Sequence, residues 1–274
     1  MRTFSVSLAF FRMKAAQGMQ YRAAGLSGAA TGTLWCLIEI AVYMAFYRFA
    51  QNRDAISAAA LTLPQMVTYS WIGQALFSLM PHGPDGDILQ KIRSGDVALE
   101  LCRPLDLYAH WFTRAAAGKA APFVWRGIPI LLAGIFMPFG WGLSAPASPA
   151  HFLLFLLSCG SMLLLGLSFN TLVAAVRMSI NWGDGPMYLM TLIPMVLSGG
   201  YFPLQLWPDA LQKALLLQPF SGLMDIPLRL YLGTLPPNEA ALAIALQLLW
   251  CAVFMALGRA GMRKRLGSIV VQGG

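Results

Sequence analysis

AAGLSGAATGTLWCLIEIAVYMAFY, residues 23–47, runs for twenty-five residues with Glu39 as its one charge. A helix needs about 20 apolar residues to cross a hydrocarbon core about 30 Å thick, so this stretch reads as a membrane span. The composition agrees: of 274 residues, 58% are hydrophobic and 11% charged, with a mean hydropathy of +0.63, against about 25% charged residues in an ordinary soluble domain. Further apolar windows lie at about 58–80, from a start between 120 and 127 to about 142, at 152–176, at 186–207 and at 240–258. Lipid offers backbone amides no partner, and a helix satisfies its own. The expectation is an all-α integral membrane protein with about six spanning helices.

Lys and Arg set the orientation, because cytoplasmic loops retain them. Arg2, Arg12, Lys14 and Arg22 precede the first window, and Lys91, Arg93, Arg103, Arg114 and Lys119 follow the second. Arg177 follows the fourth, and Arg259, Arg263, Lys264 and Arg265 follow the sixth. The opposite side holds Arg48, Arg53, Lys213 and Arg229, so both termini and the loop at 82–119 are expected in the cytoplasm. That distribution accounts for the net charge of +8 without a nucleic-acid partner.

Two flanking segments carry their own patterns. In residues 1–22, Phe4, Leu8, Phe11, Ala15 and Met19 recur at helical spacing, with Arg2 and Arg12 off that face, as expected of an amphipathic helix lying in the membrane interface. Residues 207–238 are too apolar for a free loop, and Pro219 and Pro227 interrupt them too often for a span. They read as short re-entrant helices, either buried against protein or lying on the interface.

Much of the chemistry of enzymes finds no foothold. Cys36, Cys102, Cys159 and Cys251 stand singly, and His82, His110 and His151 have no second ligand at metal-binding spacing, so neither a disulfide framework nor a metal site is expected. His82 and Asp87 have the spacing of an imidazole oriented by a carboxylate, but the stretch between them, Gly-Pro-Asp-Gly, is turn-like. A phosphate-binding loop requires G-x-x-x-x-G-K-[ST], and the only Gly-Lys pair, Gly118-Lys119, is followed by Ala120. No cofactor is expected, and ATP is not bound by that device.

Charge near the bilayer centre costs roughly 2.5 to 3.5 kcal/mol per group, which singles out Glu39 and Arg126. If the third span starts at Ala120, Arg126 falls near mid-depth, where Glu39 could pair with it. If the span starts at Gly127, Arg126 snorkels to the interface. Gly28 and Gly32 form a G-x-x-x-G pair, a strip for close helix packing within the chain or against a second copy.

The charged segment from Ile92 to Tyr108 carries the most specific wording. Ile92-Arg93-Ser94-Gly95-Asp96 followed by Leu101-Cys102-Arg103-Pro104-Leu105 is similar to the G-D … L-x-R-P stretch of one branch of ABC-2-type exporter permeases. The layout as a whole also resembles those permeases: basic N-terminus, about six spans, cytoplasmic loop after the second and re-entrant element before the sixth. The resemblance implies a single transmembrane domain over 1–274, in the inner membrane of a bacterium. Its expected partners are a separate ATP-binding cassette subunit, a second permease chain and membrane lipid. Arg93, Gly95, Asp96, Arg103 and Pro104 would then belong to the element that docks on the ATPase. Glu39, Arg126, Asn170, Met190 and Met195 are candidates for the translocation cavity. Asp96 suits a helix N-terminus and Pro104 the first turn of the next helix. The alternation of Val97, Leu99 and Leu101 leaves an extended stretch open. Two other classes compete: an integral-membrane enzyme acting on lipid through His82 and Asp87 or Glu39, and a secondary transporter.

Overall fold

The computed structural model describes residues 2–50, 61–102, 106–179 and 184–266, and among them every regular element is helical. Among the described residues, four helices are long and apolar enough to cross a membrane: Arg22–Arg48, Leu107–Phe136, Pro149–Met178 and Pro237–Leu266. At 1.5 Å per residue, the 30-residue helices among them reach about 45 Å, the full depth of core and headgroups.

In chain order, α1 (Arg2–Met19) leads into α2 (Arg22–Ala50), followed by α3 (Leu63–Leu76) with one 3-10 turn at Phe77–Leu79. Two short helices, α4 (Gly86–Ser94) and α5 (Val97–Leu101), precede α6 (Leu107–Pro122), which continues through a π turn at Phe123–Gly127 into α7 (Ile128–Phe136). The chain then forms α8 (Pro149–Ser179), α9 (Asp184–Leu197), α10 (Asp209–Leu217), a 3-10 turn at Pro219–Leu223, α11 (Asp225–Leu232) and α12 (Pro237–Leu266).

The second and fifth apolar windows hold shorter helices than a full span requires. α3 has 14 described residues, about 21 Å of helix. Its start is set by a capping box in which the Gln65 side chain accepts from the Thr62 N–H at 2.8 Å. The seven consecutive residues Met66–Ile72 are all buried, which places α3 in the middle of the bundle, against α2, α7 and α11. α9 also has 14 residues. It ends before Gly199, whose φ of +86° is a left-handed conformation natural to glycine. Two bonds pin that turn: the Tyr69 hydroxyl donates to the Gly199 carbonyl at 2.7 Å, and the Asp225 N–H donates to the Ser198 carbonyl at 3.0 Å.

α8 and α12 pack along their lengths and receive the segment from Pro219 to Leu232 between them and α3. That segment is almost wholly buried, from Ser221 to Leu232. Its deep end meets the middle of α8, where Leu223 lies beside Gly166, and its other end, at Gly233, returns to Ala147 and His151 near the start of α8. Gln247 of α12 clamps the deep end: its amide donates to the Gly222 carbonyl at 2.7 Å, and its oxygen accepts from the Ser158 hydroxyl at 3.0 Å. A Cβ on Gly222 would stand 2.8 Å from Gln247 Cγ, so the close approach depends on glycine.

A buried carbonyl without a donor costs about 1–3 kcal/mol. Gln247→Leu, which strands both Gly222 and Ser158, should lower stability by that amount in a thermal or denaturant titration of the full chain. Ser158→Ala leaves Gly222 satisfied and strands only the Gln247 side-chain oxygen, so it should cost less than Gln247→Leu, about 1 kcal/mol.

Candidate coupling surface and intramembrane polar residues

The charged segment folds back onto the bundle around Arg114, a residue of α6 that is 6% exposed. Asp85 caps α4 by accepting from the Asp87 N–H at 3.0 Å, and it accepts from Arg114 Nε at 2.8 Å. A second guanidinium nitrogen of Arg114 is bonded to Asp87, which also lies 3.7 Å from Lys14 of α1. A parallel clasp holds α5: Glu100 accepts from the Lys91 ammonium and from Trp111 Nε1 at 2.8 Å. Ile88, Val97, Tyr108 and Trp111 pack beneath, against Ala174 and Ala175 of α8 and Met262 of α12. Burial pushes both carboxyls up, but the opposing bonds and charges win. Arg114 and the Asp87 N–H hold Asp85 below the usual carboxylate range, and Lys91 and Trp111 do the same for Glu100.

What this framework leaves outside is the tip. Gly95 ends α4 with φ of +81°, and Arg93, Ser94, Gly95 and Asp96 are exposed. Asp96 stands at the N-terminus of α5, but its carboxylate accepts from the Ser94 hydroxyl at 2.6 Å rather than from the α5 backbone. Residues 97–101 are helical, so the extended alternative does not hold there. Leu99 projects from this helix with 67% of its surface exposed. Arg103 and Pro104 lie outside the described residues. α6 begins at Leu107, where Asp106 accepts from the Ala109 N–H at 3.2 Å. The C-terminal part of the expected loop, 107–119, is helical and runs without a break into the helix Leu107–Phe136, which is long and apolar enough to cross a membrane. Its charges, Arg114 and Lys119, are compatible with that helix because Asp85, Asp87 and the Met80 carbonyl receive them.

The same geometry breaks the imidazole–carboxylate pairing. Asp87 is committed to Arg114, while His82 stacks edge-on to Phe77 and has its Nδ1 3.4 Å from Lys119 Nζ. Burial against Phe77, then the charge of Lys119, push His82 down to about 4.

The π turn decides the place of Arg126. Pro122 has no N–H to give and crowds the preceding turn. The helix absorbs the fault with one wide turn, closed by the Ile128 N–H on the Phe123 carbonyl. Arg126 thus stands twenty residues into the thirty-residue helix Leu107–Phe136, with its guanidinium 5.0 Å above the Phe77 ring. The glycine strip of α2 faces it. A Cβ on Gly28 would stand 3.5 Å from Arg126 Cδ, and one on Gly32 would stand 2.7 Å from Ile130 Cδ1. Gly25 is tighter still, with its Cβ position 2.3 Å from Trp125 Cβ. These glycines serve packing inside the chain.

Glu39 and Arg126 do not pair. Glu39 accepts from the Tyr43 hydroxyl at 3.0 Å, and Arg126 Nε has no acceptor among the described residues. The other cavity candidates are dispersed as well. Arg126 lines a cavity between α1, α2 and α6, and Asn170 lines a separate one with Arg114 and Lys119. Met190 packs on the core, while Met195 lies 3.4 Å from the Tyr201 hydroxyl.

One buried acid escaped the sequence reading. Asp225 is fully buried, accepts from the Leu204 N–H at 3.3 Å and lies 3.8 Å from Arg229. Burial raises it to about 6, against the lowering pull of Arg229 and the Leu204 N–H. The i,i+4 spacing of Asp225 and Arg229 within an apolar run was the available signal.

Two expectations follow from these contacts. Gly25→Ala collides with a side-chain stem and should cost about 1–3 kcal/mol. Gly32→Ala meets only the movable end of Ile130 and should cost less, and Gly28→Ala should be nearly neutral, with oligomeric state unchanged in all three. Asp225 has a raised folded-state pKa, so its contribution is fully present below about pH 4 and is lost as pH rises through about 6. The stability difference, wild type minus Asp225→Asn, should therefore grow as pH falls from about 7 to about 4, measured as paired thermal midpoints.

Comparison with known proteins adds one result: the family described as "ABC-2 family transporter protein" matches residues 36–273. No curated protein and no solved structure matches the chain.

Proposed function

The chain belongs to the ABC-2 transporter family, and on that premise we propose that it is the membrane-spanning permease of an ATP-driven exporter, working with a separate ATP-hydrolysing subunit and a second permease chain. The observation that carries this reading is the α4–α5 element. It has an exposed, charged tip with one protruding leucine, and a base clasped by ion pairs and packed on the ends of α6, α8 and α12. Such an element suits the transfer of force. A partner seated on Arg93–Leu99 pushes a lever that cannot slide on the bundle without breaking the Arg114 and Glu100 contacts.

In this reading the tip lies in the cytoplasm of a bacterial cell, with both termini, in line with the Lys and Arg distribution. Arg103 and Pro104, which follow α5 in the chain, complete the docking element. ATP-driven closure of the partner subunits moves α4–α5 and, through Arg114 and Trp111, the start of α6. The π turn at Phe123–Gly127 then lets the two parts of the Leu107–Phe136 helix change their relative tilt. Translocation runs between two permease copies, which fits the dispersal of Glu39, Asn170, Met190 and Met195 within one chain.

Docking by a tip of this kind depends on Leu99 and Asp96 and not on the fold beneath them. Leu99→Glu combined with Asp96→Lys should abolish co-purification of the ATPase and reduce transport at least about tenfold, a loss of about 1.4 kcal/mol or more. The thermal midpoint of the chain itself should stay near that of wild type. Undiminished co-purification and transport in this variant would refute the coupling role.

A further inference from the structure

A groove of about 590 Å³ runs between α3, the α6–α7 helix and α8, and Ile72, Leu76, Phe123, Leu131, Phe155 and Leu163 form much of its wall. Its rim is open, since Ile135, Phe152 and Leu156 are exposed. Along α6–α7 the lining extends from Ala116 to Ile135, about 28 Å of helix. One acyl chain covers about 15 Å, half of a hydrocarbon core about 30 Å thick, so the groove is long enough for a whole chain.

One residue breaks the apolar lining. Lys119 is the single charged residue in the wall, and it is half-buried, so it retains surface toward the groove. Its ammonium donates to the Met80 carbonyl and lies 3.4 Å from His82 Nδ1. Neither contact supplies a negative charge, and no ion pair among the described residues includes Lys119. A cation in apolar surroundings is costly until an anion meets it, and an ammonium has three N–H donors to offer. Arg114, five residues earlier, receives two carboxylates from the fold; Lys119 receives none. On its other side Lys119 borders a cavity of about 210 Å³ that also touches Gly83, Asn170 and Thr171, which leaves room for a polar group beside the ammonium. Asp85, the acid of that smaller cavity, is already bonded to Arg114.

We propose that this groove binds an anionic phospholipid of the surrounding bilayer, with an acyl chain laid along α6–α7 and α8 and the phosphate at Lys119. The bilayer is the source because the exposed rim residues Ile135 and Leu156 lie within two of the long apolar helices, Leu107–Phe136 and Pro149–Met178, so entry is lateral. Neither the site nor its test involves the α4–α5 tip or the ATPase.

The full chain is purified in non-ionic detergent and mixed with equal amounts of phosphatidylglycerol and phosphatidylcholine of the same acyl chains, and the retained lipid is counted by native mass spectrometry. Wild type should retain phosphatidylglycerol over phosphatidylcholine about fivefold, the order that one lysine adds toward an anionic headgroup. Lys119→Gln, which keeps a donor for the Met80 carbonyl, should erase the preference. Gly160 lines the groove, and a Cβ there meets nothing within 4 Å, so Gly160→Phe puts a ring into the open space. That variant should cut retention of both lipids about tenfold, and its thermal midpoint should not fall, because a helical glycine is replaced by a better helix former. Equal retention of the two lipids by wild type, an unchanged ratio in Lys119→Gln or undiminished retention in Gly160→Phe overturns the site. Loss of a chain dimer in Gly160→Phe with lipid retention intact overturns it as well, and gives the groove to a second copy of the chain.

Discussion

A guanidinium that cannot reach water organises one whole end of this protein. Arg114 sits inside a spanning helix and is 6% exposed, so its charge has to be met by protein. Asp85 and Asp87 meet it, and in doing so they bring the chain after α3 back against α6. Once that return is made, Glu100 reaches Trp111, and Ile88 and Val97 close over the ends of α8 and α12. The exposed tip at Gly95 and Leu99 is a consequence, because everything on either side of it is held.

The opposite end is governed by backbone satisfaction. Short helices inserted between longer ones expose their terminal carbonyls and amides to an environment without water. The chain answers with side chains from its neighbours: Gln247 for Gly222, Tyr69 for Gly199 and Asp225 for Leu204. These polar residues of the bundle are thus largely structural: each completes a helix end that water cannot reach.

Composition and periodicity made the membrane class, the all-helical build and the first, fourth and sixth spans legible, because these are long apolar runs each lying within one long helix, the sixth helix continuing past its apolar run into a basic end. The second and fifth windows were less legible. Apolarity continues past the point where Thr62 starts one helix and Gly199 stops another, and a buried short helix is as apolar as a span. The start of the third long helix was hidden for the opposite reason. Arg114 and Lys119 look incompatible with it until their partners, which lie 27 to 39 residues away in the chain, are brought beside them.

The sequence by itself determined that this chain lives in a membrane and which segments are basic, and its wording at Gly95-Asp96 resembles that of ABC-2 permeases, the family it belongs to. Those properties are local, written in runs of residues that act as runs. Tertiary structure alone decided that Glu39 and Arg126 stay apart, that the glycine strip packs inside the chain, and that a proline fault turns Trp125 and Arg126 onto a cavity. Each of these depends on which helix stands beside which, and that is set by packing and charge pairing between residues far apart in the chain.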